Sequence, residues 1–365
     1  MQLYPALITD ALQTVRYPGN GKNLVEAGMV EDDIRIDGDS VSFSLVFDKP
    51  TDPFIKSMAK AAETAIHTYI SPEVKVTVNV ASRQPAAPKD APVLPGVKNI
   101  IGVSSGKGGV GKSTVASNLA VALAQEGYKV GLLDADIFGP SMPKMFGIED
   151  EQLYIHEVDG RQLIIPQERY GVKLLSIGFV VDKEKAVLWR GSMASNALKQ
   201  LITDADWGDL DYFLIDMPPG TSDIHLTLVQ TLPITGVVVV TTPQEVALAD
   251  ARKGIAMFRE DKVNVPILGL VENMAWFTPA EHPDERYYIF GREGGVRLAE
   301  KLGVRLLAQI PLVASIADCG DNGTPIALDG SVTAQAFAHL AREVSDAVAE
   351  RNRELPPTHK GELKH

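Results

Sequence analysis

Between Gly106 and Ser113 the chain reads G-K-G-G-V-G-K-S, which satisfies G-x-x-x-x-G-K-[ST], the pattern of a loop that cradles nucleotide phosphates. Gly106, Gly108, Gly109 and Gly111 carry no side-chain bulk, so successive backbone N–H groups can wrap an anion while the next helix offers its positive end. Lys112 is placed to reach the β- and γ-phosphates and the Ser113 hydroxyl to ligate Mg²⁺. Lys107, Val110 and Thr114 complete the stretch expected to contact the nucleotide. Two acidic segments fit the same chemistry: Asp134-Ala135-Asp136-Ile137-Phe138-Gly139-Pro140-Ser141 and Asp216-Met217-Pro218-Pro219-Gly220-Thr221. Each begins at the end of an apolar run and turns through Gly and Pro. An acid so placed, downstream of a phosphate loop, is the expected partner of Mg²⁺, which assigns Asp216 that role. Gly220 is then expected to present its N–H to the γ-phosphate, and Asp136 to orient or activate an attacking water.

These residues need a scaffold that brings strand ends together. Asn99 to Ser105 reads as a buried strand, and Val115, Ala116, Leu119, Ala120 and Leu123 mark one face of a helix, so the loop lies in strand–loop–helix order. Val130 to Asp134, Tyr212 to Asp216, Gly236 to Thr241 and Ile267 to Glu272 are further strand-like runs with helical patterns between them. That alternation predicts an α/β fold with a mostly parallel sheet covered on both faces, whose ligands bind beyond the carboxyl ends of the strands.

Ahead of it, residues 1–81 read as a small α+β domain: a short helix near Tyr4 to Val15, a hairpin turning at Asp37-Gly38-Asp39, a helix carrying Ile55, Met58, Ala59, Ala62 and Ile66, and a strand alternating Val74, Val76, Val78 and Val80. Residues 82–97 are rich in Pro and Ala and predict an extended linker. The ATPase-like part is expected over 98–350 and a polar, disordered tail over 351–365.

The 365 residues carry a formal net charge of −12, which argues against a dominant nucleic-acid surface because phosphate neutralisation needs clustered Lys and Arg. No signal peptide and no apolar stretch near the ~20 residues of a membrane span is evident, so no membrane partner and a cytoplasmic location are expected. A single cysteine, Cys319, leaves no intrachain disulfide and no thiolate metal site from one chain; it reads as an ordinary structural cysteine.

The loop G-K-G-G-V-G-K-S-T, with its extra lysine, resembles the deviant phosphate loop of the dimerising ATPase class. Within that class Asp134 to Ser141, Trp189-Arg190-Gly191-Ser192-Met193, Asp216 to Asp223 and Val271-Glu272-Asn273-Met274 are similar to the Mrp/ApbC branch of iron–sulfur cluster carriers, over about Val97 to Leu340. The first domain looks like the small iron–sulfur assembly domain fused to bacterial members. The resemblance implies ATP and Mg²⁺ as cofactors, slow hydrolysis, a homodimer in which Lys107 reaches the partner's nucleotide, adenine recognition by Asn273, and apo iron–sulfur proteins or assembly factors as partners. Members of the branch usually place C-x-x-C soon after V-E-N-M. This chain reads M-A-W-F-T-P-A-E-H-P-D-E-R-Y-Y-I-F-G there, leaving Glu281, His282, Asp284 and Glu285 as metal-capable side chains, which are poor substitutes for thiolates on a cluster. The expected function is therefore a Mg²⁺-dependent, ATP-hydrolysing homodimer that handles or transfers iron–sulfur clusters to apoproteins although the usual C-x-x-C is absent. Its rivals are a positioning ATPase acting on a protein, DNA or membrane partner, a ligase using the same loop, and an ATP-dependent adaptor without a cluster.

Overall fold

The computed structural model describes residues 3–48, 50, 52–83, 93–137, 139–158, 160–179, 191–279, 282 and 285–360, without the side chains of 191–192. The chain divides into two compact units, Met1–Ala91 and Pro92–His365. In the first, α1 (Pro5–Leu12) precedes β1 (Arg35–Asp37), β2 (Ser40–Phe47), α2 (Ile55–Tyr69) and β3 (Lys75–Ser82). The sheet order is β1-β2-β3, with β1 antiparallel and β3 parallel to β2. Phe43, Leu45 and Phe47 alternate along β2 into a core shared with Ile8, Leu12 and Ile66, all with no solvent exposure.

The second unit runs β4 (Val97–Ser105), α3 (Lys112–Gln125), β5 (Val130–Asp134), α4 (Met142–Met145), β6 (Tyr154–Val158), β7 (Arg161–Ile165), β8 (Gln167–Arg169), β9 (Val172–Ser176), α5 (Gly191–Thr203), β10 (Leu210–Asp216), α6 (Asp223–Thr231), β11 (Gly236–Thr241), α7 (Glu245–Arg259), β12 (Ile267–Glu272), α8 (Gly294–Leu302), β13 (Leu306–Gln309), α9 (Ala314–Asp321) and α10 (Val332–Glu354). Eight strands form one sheet in the order β13-β12-β11-β4-β10-β5-β9-β8. Every neighbouring pair is parallel except β8 with β9. β11 reads G-V-V-V-V-T and is buried at every position, as a strand covered on both faces must be. β6 and β7 form a separate antiparallel pair.

Helix α3 carries the site, and it is buried on nearly all sides: ten of its fourteen residues, from Lys112 to Leu123, are out of solvent. Such a helix is held by packing rather than by an amphipathic stripe. Asn118 fixes it from within. Its Nδ2 donates to Thr114 O (2.9 Å) and its Oδ1 accepts the Ala327 N–H (2.9 Å), so one carboxamide ties the first turn of α3 to the segment before α10.

Two expectations are corrected. The 351–365 segment is not a disordered tail from its start: α10 continues to Glu354. Val344, Ala347 and Val348 are buried near its end, and Arg351 donates to Pro356 O (2.7 Å) and Thr358 Oγ1 (3.3 Å). Of the expected linker, Val93, Leu94 and Val97 pack against the core of the second unit instead of running free, because each is apolar; 84–92 lie outside the described residues. Among the described residues no helix is long and apolar enough to cross a membrane.

Replacing Asn118 by Leu, of similar size, should leave the Ala327 N–H without its acceptor and lower unfolding stability by about 1–3 kcal/mol, measured by urea titration. Unchanged stability would show that the tie contributes nothing.

Candidate nucleotide site

The strand ends converge by register. Asp216 pairs with Val103 of β4 on one side and Asp134 of β5 on the other, so two carboxylates stand side by side beneath the loop that leaves β4. The loop then turns through Gly111, at φ +80°, a left-handed backbone that side-chain-bearing residues rarely adopt. Its first glycine is fixed by proximity: a Cβ on Gly106 would lie 2.1 Å from the Asp250 carbonyl carbon of α7.

Lys112, on the first turn of α3, is 6% exposed. Its Nζ stands 2.5 Å from Asp216 Oδ1, 3.1 Å from Ser113 Oγ and 3.7 Å from Asp136 Oδ2. Ser113 Oγ donates to Asp216 Oδ2 at 2.6 Å. Both oxygens of Asp216 are thus engaged, and the residue has no solvent exposure. Burial pushes its carboxyl upward, with the Lys112 ammonium and the Ser113 hydroxyl pulling against that shift.

A cavity of about 240 Å³ opens in front, walled by Lys107, Gly108, Gly109 and Gly111, by Lys112, Ser113 and Thr114, and by Asp136, Met145 and Pro219. Asp136 lines it, and its Oδ1 is buried without a hydrogen-bond partner. Asp216, Gly220 and Asn273 are not among its walls. The structure therefore brings Lys107, Lys112, Ser113, Thr114 and Asp136 together and sets the other three behind them.

The differences from the expected roles have simple causes. The Gly220 N–H is donated to Ser105 O (2.9 Å), so it is not free for a γ-phosphate. Asn273 is buried and donates Nδ2 to Val110 O (2.9 Å). That N–H braces the phosphate loop. The next residue, Met274, sits at φ +54°, a strained backbone for a side-chain-bearing residue and of a kind that clusters at functional sites. Asp216 stands as an ion-pair partner of Lys112, and the carboxylate is accessible to a cation only when Lys112 and Ser113 let go.

Three residues that the sequence reading left without a role organise the surroundings. Asp134 is fully buried; Oδ1 accepts the Asp136 N–H (3.2 Å), and Oδ2 accepts the Met142 N–H (3.1 Å) and the Ser176 hydroxyl (2.8 Å). Burial, and then the neighbouring Asp216, push its carboxyl well above the usual carboxylate range. His225 has no exposure and stands at the third position of α6 in a capping box with Ser222. Burial pulls its ring down to about 4, with Lys112 adding to the shift and the Ser222 and Pro218 backbone opposing it. The sequence signal for His225 was Ser-x-x-His, a variant of the capping pattern that normally ends in Glu or Gln. Ser176 carried no signal at all.

The remaining candidates lie elsewhere. Cys319, half-buried on α9, packs against the main core, and burial raises its thiol. Trp189, Arg190, Glu281 and Asp284 lie outside the described residues, as do the side chains of Gly191 and Ser192, and exposed His282 pairs with Glu285 at 3.5 Å. Among the described residues no three His, Cys, Asp or Glu side chains gather as a metal site.

A glycine loop between the central strand of a parallel sheet and a buried helix, with Lys and Ser meeting an acid from the adjacent strand, defines a P-loop NTPase. More specifically, the chain belongs to the iron-transfer P-loop NTPase family: residues 96–345 match the ParA model described as NUBPL iron-transfer P-loop NTPase. Residues 6–80 match a model described as an iron–sulfur cluster assembly protein. The chain is 43% identical over 350 residues to the iron–sulfur cluster carrier protein of Synechocystis sp., covering 94% of this chain and 98% of that protein. It is 49% identical over 260 residues to the mitochondrial iron–sulfur protein required for NADH dehydrogenase of Arabidopsis thaliana, covering 70% and 81%. A nucleotide-binding protein from Archaeoglobus fulgidus solved in complex with ADP shares 38% identity and a TM-score of 0.54, covering 63% of this chain and 88% of that one.

The pH dependence of stability follows from His225. Its folded value, about 4, is below the ordinary 6.5, so as pH falls through that window the unfolded chain takes up a proton that the folded ring refuses. The parent should lose stability relative to His225→Gln between about pH 6.5 and pH 4, by on the order of 2 kcal/mol, with no further change in the difference above that window. Urea midpoints at pH 7.5 and 4.5 measure this; parallel curves for the two proteins would contradict it.

Proposed function

We propose that this chain is a Mg²⁺-dependent ATPase that works in the cytoplasm as a homodimer and passes iron–sulfur clusters to apoproteins. The observation that carries the reading is the convergence of Lys112 and Ser113 on Asp216 beneath a glycine loop, in a chain of the iron-transfer family. The carrier names of its relatives, one of them covering nearly the whole chain, support the cargo.

On this reading the loop N–H groups between Gly106 and Lys112 hold the phosphate oxygens, and Lys112 leaves Asp216 to neutralise the β- and γ-phosphates. Ser113 and Asp216 are hard oxygen donors already 2.6 Å apart, and they fit a Mg²⁺ ion better than a soft metal. Mg²⁺ bound there would offset the charge that develops on the transferring phosphoryl group. Asp136, which lines the cavity, orients the attacking water and draws on its proton. Lys107, at the mouth of the same cavity, serves the nucleotide of the neighbouring protomer.

The cargo is constrained by thiol supply. One cysteine per chain gives two per dimer, whereas a bridging cluster draws on four thiolates. The remaining ligands then come from small thiols or from the recipient protein, and the cluster is handled in transit rather than stored.

Lys112→Ala should lower ATP turnover about a hundredfold or more and weaken binding, whereas Asp136→Asn should lower kcat by a similar factor with Kd for ATP within about threefold. Phosphate release and nucleotide titration measure both, and parent-like turnover in Lys112→Ala would end the ATPase reading. For the cargo, anaerobic reconstitution with iron and sulfide should leave little cluster on the protein unless a thiol is added, and Cys319→Ser should leave turnover unchanged. A robust cluster without added thiol that Cys319→Ser abolishes would make Cys319 a ligand.

A further inference from the structure

The loop from Pro218 to Ser222 forms one edge of the phosphate cleft. Pro219 walls the cavity, and Gly220 bonds the carbonyl of Ser105, whose hydroxyl in turn bonds Lys107 O at 2.9 Å. On the cleft side the Gly220–Ser105 bond holds one point of this loop. Behind it lies His225, with no solvent exposure, its ring edge-on to Phe258 of α7 at 6.1 Å between centroids.

The contacts of the ring point at the loop. The Ser222 N–H donates to Nδ1 at 3.2 Å, so Nδ1 is the bare nitrogen and the proton of the neutral ring sits on Nε2. Nε2 is buried as well, and the Pro218 backbone also bonds the ring. Glu or Gln ordinarily fills this capping position and stays at the surface; here a rigid aromatic ring reaches inward, between α7 and the loop.

We propose that His225 is the positioning residue of the cleft-edge loop: through Nδ1 and the Ser222 N–H, braced on Phe258, it sets where Pro219 and Gly220 stand beside the phosphates. It touches no nucleotide atom and takes no part in the chemical step. Its effect on hydrolysis rests on the reading of the cleft as an ATP site, but the anchoring of the loop does not.

The comparison is between His225→Gln, which keeps an acceptor for the Ser222 N–H, and His225→Leu, which fills the space without one. In the full-length chain, amide hydrogen exchange across 217–223 should rise about tenfold in the Leu variant and stay near the parent in the Gln variant, with the interior of α6 protected in both. Turnover should divide in the same way: kcat for ATP about tenfold lower in the Leu variant with KM within about twofold, and the Gln variant close to the parent. A purely structural role would lower the melting temperature without this split between kcat and KM. Should the Leu variant not fold, His225→Met makes the same comparison with a more adaptable apolar chain. Parent-like exchange and turnover in the folded apolar variant overturn the proposal, as does a Gln variant as damaged as the Leu variant. A parent chain with no ATP turnover removes the ATPase reading and leaves the exchange comparison to decide the anchoring by itself.

Discussion

The buried ion pair between Lys112 and Asp216 is the constraint around which the larger unit is arranged. An ammonium that is 6% exposed and a carboxylate with no exposure are costly to desolvate, and a buried charge that loses its partner costs several kcal/mol. The surroundings are built to keep that from happening: Ser113 occupies the second carboxylate oxygen, and Asp136 adds a second negative group 3.7 Å from the ammonium. Asp134, the neighbour in register, is met by two backbone N–H groups and a hydroxyl in place of a cation. The site is therefore electrostatically complete without a nucleotide and keeps Asp216 closed off. On the proposed reading, a polyphosphate with its metal ion would enter by an exchange in which Lys112 turns from carboxylate to phosphate and Asp216 from ammonium to cation, so that the buried charges would stay paired.

The support for that pair comes from short polar ties between elements. Asn118 joins α3 to the chain ahead of α10, Asn273 joins the end of β12 to the loop, and Asp134 joins β5, the start of α4 and β9. Each is a buried side chain with its hydrogen bonds made, the condition under which polar groups inside a core specify geometry instead of merely costing stability.

How far the sequence was legible depended on whether local pattern or long-range pairing decided the structure. The five strands at the centre of the parallel sheet were readable because each is a continuous apolar run that tolerates no other environment, and β11 is the plainest case. The outer strands β8, β9 and β13 are three to five residues long, and the places of β9 and β13 come from pairing with β5 and β12, well before them in sequence. The phosphate loop was legible because its chemistry requires a contiguous set of residues. The roles of Asn273 and Gly220 were not, since each side chain or N–H chose a partner that only the fold brings near: Val110 O for one and Ser105 O for the other. The end of α10 was misread for the opposite reason. Its surface is polar enough to look like a tail, and the apolar face that holds it, Val344, Ala347 and Val348, is sparse.

The contact between Gly106 and the backbone of α7 leaves no clearance at all, since even a single added carbon would fall 2.1 Å from Asp250. Two backbones that close have no soft layer between them to absorb displacement. The first glycine of the phosphate loop and the middle of helix α7 (Glu245–Arg259) thus form one stiff piece, and from Asp250 the helix runs on for about 14 Å at 1.5 Å per residue. A shift of a few tenths of an ångström at the loop would therefore be passed to α7 undamped, and any tilt would be larger at the end of the helix than at the contact.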